Sequence, residues 1–564
     1  MADAWTLIFQ QQPGTEADHQ RVLQWLGAQG AYASHLDDIM DPIRESEVMA
    51  AIMAAKPGKA CGPDRLGNDW YRDFAALLAP VLVELFNLWF ATGIVPASFL
   101  EAGIFCLKKG GVSQNPLNFR PLSLMNTDYK ILTRVLATRM SPKLPLMVHP
   151  NQNGFVPLRA IHATIDLFTA AQMEARRNPE FAKALAILLD FMKAYDSVDR
   201  EFLYAVLLWL GFPPAFVEVM RALHTGTRVR FLANGYRSRW VLVMCGIRQG
   251  CPLEPLLFIL VLEALYRRID SHPRIHGIVL SSRAGSLPLK VEGYADDTAN
   301  YVKSEQEVPV VMETTTEFAL ASGLHLNQKK TMVIALNPDR DGAAVELPAP
   351  LELQATGQLS RYLGIQVGSV TGVESTWGLA HKQLLVRLLL AGHKTNTVDQ
   401  RSLLVAAIVV PKLLYIGRHH WPSAAVVSAF QKRIHNFIWH GYFSAAKSSG
   451  RAWLNAKVAA LPRGKGGIAE PNLALAMQAM AAATLAAWAI WSTPSALIVG
   501  DILGDPQARA EHRRLMIGPR LAPPPVTRPS MGSSLWLTGA SICSSLSRGC
   551  LFRHRQSAAG ECPA

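Results

Sequence analysis

The chain is short of the residues that staple or export proteins. Its seven cysteines, Cys61, Cys106, Cys245, Cys251, Cys543, Cys550 and Cys562, are odd in number and scattered over 564 residues. That excludes a disulfide framework and a zinc site of regular ligand spacing, and it favours a reducing compartment. No basic segment leads into an apolar stretch at the start, MADAWTLIFQQQPGTEADHQ, so no signal peptide is read. Long apolar runs are scarce too. Leu473 to Trp491 is the one candidate span, yet nine of its residues are alanine, which gains little on transfer to hydrocarbon, so a buried helix is the favoured reading. An intracellular protein, nuclear or cytoplasmic and with no membrane partner, is therefore expected.

Net charge is missing from most of the chain. Residues 1–400 hold 38 Lys+Arg against 38 Asp+Glu, whereas residues 401–564 hold 18 against 5, so the whole +13 lies in the last third. A basic region attached to a neutral, carboxylate-bearing body suits a protein that grips a polyanion with one part and works on it with another. The stretch 501–564 reads as a disordered basic tail.

What is present alternates strands and helices without a regular βαβ repeat. Residues 1–45 read as a linker with a helical patch. Glu45 to Ala55 and Trp70 to Thr92 have helical spacing, interrupted by KPGKACGPD, and Ile104 to Leu107 reads as a strand. Ser197 to Leu210 reads as a helix with Asp196 as N-cap and Gly211 as C-cap. Asn234-Gly235 predicts a hairpin turn, Met332 to Ala335 a strand, and Tyr362 to Val367 one more. Beyond about residue 375 the pattern is helical. The expected class is α+β, a sheet with helices on one face.

Two segments carry the chemistry. Leu185 to Asp196, LAILLDFMKAYD, is an apolar run ending in Asp190. Leu289 to Val302, LKVEGYADDTANYV, predicts a hairpin with Asp296 and Asp297 at its tip. Acids at the ends of buried strands hold hard divalent cations, and phosphoryl transfer is the chemistry they serve.

The blocks KACGPD, FRPLSLMNTDYKIL, NGFVPLR, LLDFMKAYDSVD, GIRQGCPLEPLLF, YADD, GLHLNQKKT and YLGI occur in order, followed by FIWHG and LPRGKGG. Together they resemble the reverse transcriptases of non-LTR retrotransposons, the long interspersed element type. The resemblance runs from roughly Glu45 to Ala487. It implies a right-hand polymerase with an antiparallel palm sheet. Residues 1–45 would be an N-terminal linker, 46–183 the fingers with palm entry, 184–370 the palm, and 371–500 a helical thumb and following region. It implies an RNA template, a DNA primer and dNTPs as partners, and two Mg²⁺ ions, with Mn²⁺ as substitute.

The same resemblance assigns residues. Asp190 and Asp296 would bridge both ions, and Asp297 would act beside them electrostatically or on the primer side. Tyr195 would exclude a ribose 2′-hydroxyl, and Gln249 and Gly250 would meet the nascent base pair. Lys109, with Lys108 as fallback, and Arg120 would clamp the triphosphate. Lys330, with Lys329 as rival, would protonate the departing pyrophosphate. Asp196 and Asp199 are expected to be helix-terminal acids only.

Three positions depart from the pattern. Glu254 stands where serine is usual, and Leu158 and Arg65 where glycine is usual. A carboxylate at 254 is expected to lie near the nucleic acid and repel it. The expected absence of an endonuclease before the fingers, and of a Cys-Cys-His-Cys knuckle after the thumb, points to a truncated or decaying copy.

Overall fold

A computed structural model describes residues 1–504 apart from 12, 109–113, 340–345, 396, 447–449, 451 and 491–492. The expected tail therefore falls almost wholly outside the described residues, as does Lys109. The described residues divide into two compact units, Met1–Thr371 with Pro494–Leu503, and Gly372–Thr493 with Gly504.

In the first unit, residues 1–45 are not a linker. Helices Ala2–Phe9 and Glu16–Leu23 and three short 3-10 turns send Trp5, Phe9, Val22, Leu26, Leu36 and Ile39 into the main core. Trp5 stacks on Phe9 with ring centroids 5.5 Å apart. The segment has no long periodic run, which is why it reads as linker, but it is rich in large apolar side chains and most of them are buried. Gly211 shows how close the packing is: with φ +102 it ends the helix Arg200–Leu210, and a Cβ there would lie 2.7 Å from the amide nitrogen of Ala33.

Among the described residues the strands are β1 Glu101–Lys108, β2 Phe119–Leu124, β3 Leu185–Leu189, β4 Arg228–Ala233, β5 Tyr236–Arg237, β6 Val241–Leu242, β7 Ile278–Ser282, β8 Gly285–Leu289, β9 Val291–Tyr294, β10 Asp297–Val302, β11 Met332–Ala335, β12 Ser360–Tyr362 and β13 Ile365–Val367. One sheet runs β2-β1-β4-β5, with β6 also on β4. A second runs β11-β3-β10-β9, and β7-β8 and β12-β13 are separate hairpins.

The β4–β5 turn falls on Asn234 and Gly235, φ 50 and 83, the left-handed pair that a two-residue hairpin needs. The one strand expected at 362–367 is instead a hairpin, because Leu363 and Gly364 both take positive φ, 44 and 92. The result is a mixed α and β architecture with several small sheets, in which the second carries the acids.

All five residues of β3 are buried, because it lies between two strands and is covered on both faces. A continuous apolar run, rather than alternation, is the sequence of such a strand. Helix Glu254–Ser271 behaves alike, with Leu257 to Leu262 wholly buried. Helix Ala75–Thr92 is apolar all round but buries only Ala75, Ala79, Leu82, Phe86 and Phe90, leaving Leu77, Val81 and Leu88 exposed.

The second unit is helical. Val373–Gly392, residues 398–419, Ala424–His440 and Leu473–Ile490 enclose Trp377, Leu384, Leu413, Phe430, Phe437 and Met477. In the alanine-rich helix Leu473–Ile490, Leu473, Met477 and Ala481 are buried at a four-residue spacing, so one face joins this core. By length and composition alone, the described helices able to cross a membrane are Ala75–Thr92 and residues 398–419.

Candidate active site

Asp190 follows the last residue of β3. β9 ends at Tyr294 and β10 begins at Asp297, so Ala295 and Asp296 make the tip between them. The antiparallel β3–β10 register sets Thr298 opposite Leu189 and Val302 opposite Leu185. Continued by one step, it sets Asp297 across from Asp190. The three acids thus gather at one end of one sheet although Asp190 and Asp296 are far apart in sequence.

Their charges sense each other. Protein crowding around the Asp297 carboxyl pushes its pKa up to about 6, Asp296 and Asp190 push the same way, and Arg361 and Arg120 oppose them. The donors on offer are carboxylate oxygens, the kind hard cations take. Among the described residues no three His, Cys, Asp or Glu side chains are close enough to cage an ion by themselves.

The strand leaving Asp190 is pinned to the loop that carries the lysines. The Asp190 carbonyl accepts from the Asn327 N–H at 2.7 Å, and the Met192 N–H donates to His325 at 2.8 Å. The Lys330 N–H closes the turn on Asn327 at 2.9 Å. The side chains of Lys329 and Lys330 are both exposed, and the backbone geometry favours neither.

Tyr195 lies in the short helix Ala194–Ser197, its ring stacked on Phe258 at 4.4 Å and 14°. Burial pushes its hydroxyl pKa up, and the carboxylates of Asp296 and Glu254 add to that, so the ring is near the hairpin tip. Gln249 is held at both ends: its Nε2 donates to Asp196 Oδ2 at 3.0 Å and its carbonyl accepts from the Ser123 N–H at 3.0 Å. Gly250 has φ +112, and a Cβ there would lie 3.0 Å from the Ser123 carbonyl, so the loop needs glycine. Arg120 is exposed on β2, three residues before Ser123, and Lys108 is exposed at the end of β1.

Two sequence assignments change. Asp196 is not a helix cap. It is buried and orients Gln249, while Asp199 is the N-cap of Arg200–Leu210, accepting from the Phe202 N–H at 2.9 Å. Val198, extended at ψ 126, breaks the helix between them. Glu254 does not face the nucleic-acid side: it is 1 % exposed, and its Oε1 lies 2.9 Å from His224 Nε2. Burial would push that carboxyl pKa up, but His224, Arg248 and Arg200 together hold it below the usual range. Arg361, near Asp297, is a site neighbour the sequence reading missed; its position one residue before the YLGI block was the available signal.

Residues 107–367 match the family described as reverse transcriptase (RNA-dependent DNA polymerase). The chain thus carries a reverse transcriptase domain, and its relatives are proteins of transposons and retrotransposable elements. The matched residues carry every candidate side chain named above. Over 76% of its length the chain is 26% identical to the transposon TX1 uncharacterized 149 kDa protein of Xenopus laevis, covering 32% of that protein. It is 24% identical to the Pol polyprotein from the type-2 retrotransposable element R2DM of Drosophila melanogaster, over 53% of this chain and 27% of the relative. To the RNA-directed DNA polymerase from the mobile element jockey of Drosophila funebris it is 25% identical, over 66% of this chain and 41% of the relative. The chain thus spans between about a quarter and two fifths of these relatives.

Proposed function

We propose that the chain is an RNA-directed DNA polymerase of a non-LTR retrotransposon, adding dNTPs to a primer 3′-hydroxyl on an RNA template. The observation that carries this reading is the β3–β10 register, which sets Asp190 opposite Asp297 beside the Asp296 tip, inside the matched domain. In the right-hand reading the β11-β3-β10-β9 sheet is the palm, the β2-β1-β4-β5 sheet belongs to the fingers, and the helical unit from Gly372 is the thumb with its following region. The setting is an intracellular ribonucleoprotein.

Asp190 and Asp296 would hold two divalent cations, magnesium or manganese in its place, and Asp297 would add negative charge beside them. Bound there, such ions supply charge neutralisation at the attacking and leaving oxygens of an in-line displacement. The chain's own residues do the rest. Arg120 and Lys109 hold the triphosphate, and the Tyr195 ring fills the volume a 2′-hydroxyl would need. Gln249, fixed by Asp196, and Gly250 bring backbone up to the nascent base pair. Lys330 gives a proton to the departing pyrophosphate.

Primer extension on poly(rA)/oligo(dT) with Mg²⁺, beside Asp296→Asn, is the direct test. Extension by the parent alone is expected. If neither protein extends while both bind the duplex, the chain is a nucleic-acid-binding remnant of such an element and not a polymerase.

A further inference from the structure

The tip that presents Asp296 is built on an unfavourable backbone. Ala295 has φ +59, a conformation that residues with side chains rarely adopt. Beside it Asp190 and Asp297 lie at the same sheet end.

The segment before the NGFVPLR block holds this tip. The Gln152 side chain, 1 % exposed, takes both backbone groups of Ala295: its Oε1 accepts from the Ala295 N–H at 2.9 Å and its Nε2 donates to the Ala295 carbonyl at 3.1 Å. The same Oε1 accepts from the Gly154 N–H at 2.9 Å, and Nε2 lies 3.2 Å from the Tyr266 hydroxyl, which in turn is 3.1 Å from Thr298 Oγ1 in β10. The backbone on either side is tied in as well. Gly293 N–H donates to Asn151 at 3.0 Å and Asn153 N–H to Gly293 at 2.8 Å, so this segment lies along β9 as an extra, parallel bridge. Gly154 passes so close that a Cβ there would be 2.3 Å from the Ala295 nitrogen.

We infer that Gln152 is a positioning residue of the active site: its side-chain amide stands in for a neighbouring strand at Ala295 and fixes the hairpin tip from which Asp296 reaches the cations. Gly154 gives it the room to do so. The inference rests on the polymerase reading of the same carboxylates. Groups of this kind act through the ligand they orient, and losing one costs about 10- to 100-fold in metal affinity or turnover.

The test uses Gln152→Met, which keeps length and apolar packing without either hydrogen bond, and Gly154→Ala, which pushes on the tip instead of releasing it. Mn²⁺ affinity by electron paramagnetic resonance is measured on parent, both variants and Asp296→Asn, with thermal midpoint, kcat and KM for dTTP on poly(rA)/oligo(dT). Both variants are expected to weaken Mn²⁺ binding and lower kcat by about 10- to 100-fold, while KM for dTTP changes less than about threefold. A residue that merely packed would lower the thermal midpoint and leave Mn²⁺ affinity and kcat per folded molecule unchanged, and that result overturns the inference. If Gln152→Met does not fold, Tyr266→Phe, which removes only the hydroxyl behind the amide, must shift the same two quantities in the same direction; parent values there overturn it equally. If Asp296→Asn binds Mn²⁺ as the parent does, the polymerase reading fails and the inference with it. Parent values in the Gln152 and Gly154 variants, with Asp296→Asn deficient, refute the inference alone.

Discussion

At Leu158 and Arg65 the backbone takes φ 66, a left-handed geometry that costs a residue with a Cβ about 1–2 kcal/mol. Leu158 is fully exposed and gives up no core contact on substitution. Part of the gain from glycine is lost to its freer unfolded chain, so Leu158→Gly and Arg65→Gly should each stabilise by roughly 0.5–1 kcal/mol in urea unfolding. Equal or lower midpoints would show that these positions carry no strain. Glu254, the third departure from the family pattern, behaves in the opposite way. Its carboxylate is buried against His224, whose Nδ1 lies 3.2 Å from the Tyr204 hydroxyl, and Arg200 Nη1 donates to the His224 carbonyl at 2.7 Å. Burial pushes the His224 pKa down, so the contact is held as a buried hydrogen bond, and Glu254→Ser, which leaves its partners unsatisfied, should destabilise by about 1–3 kcal/mol and not improve activity. Gain of primer extension without loss of stability would contradict this. From sequence alone a glutamate beside Gln249 reads as facing nucleic acid, because its partner His224 is thirty residues away and only packing brings the two together.

Among the elements, those with strong local signals were legible: the buried strand ending in Asp190, the hairpin at Asp296, the Asn234-Gly235 turn and the Gly211 helix end all follow from runs, turn residues or caps. The first 45 residues were not, because their helices are short and gain their stability from tertiary burial instead of periodicity. Their docking also has a charged point that no local pattern reveals. Asp199, the N-cap of Arg200–Leu210, accepts from the Gly14 N–H at 2.7 Å and faces His19 Nε2 at 3.6 Å, an ion-pair separation too long for a good hydrogen bond. Burial lowers the His19 pKa, but Asp199, with Glu16 and Asp18 adding to it, outweighs burial and the net shift is upward, while Asp199 is itself lowered. A histidine pKa raised in the folded state contributes stability that is full below about 6.5 and lost as pH rises through the folded value. Hydrogen exchange in residues 1–26 should therefore quicken from pH 6 to pH 9, after correction for intrinsic rate, by an amount worth up to about 1 kcal/mol. His19→Ala should remove that dependence. A parent whose corrected exchange is flat with pH would mean that the pair does not help dock the segment.

On the scale of the whole molecule, the basic excess of the last third is only partly available to a polyanion. Arg401 donates to the Ile438 carbonyl at 2.7 Å, Arg463 to Asp399 at 2.7 Å, and the Arg433 guanidinium lies 5.4 Å from the Phe430 ring centre, so these charges also serve the helical unit itself. Lys432, Lys457 and Lys465, by contrast, are exposed, as is Lys382 earlier in the same helical unit. Deleting everything after Gln400 would be a poor test of grip, because it removes Phe430, Phe437 and Met477 from the second core and the helix Pro494–Gly504, whose Ile498 and Ile502 are buried with the first unit. Changing the four exposed lysines to glutamine leaves both cores intact. Each lysine at a phosphate releases counterions on binding, and the slope of log K against log salt changes by about 0.9 for every such contact in duplex DNA. The fourfold variant should therefore bind an RNA–DNA hybrid more weakly at low salt, with a slope shallower by up to about 3.5, and the two proteins should converge as salt rises. Fluorescence anisotropy between low and high KCl measures both. A slope equal to the parent's, in a variant with the parent's thermal midpoint, would place the phosphate grip elsewhere than on this helical unit.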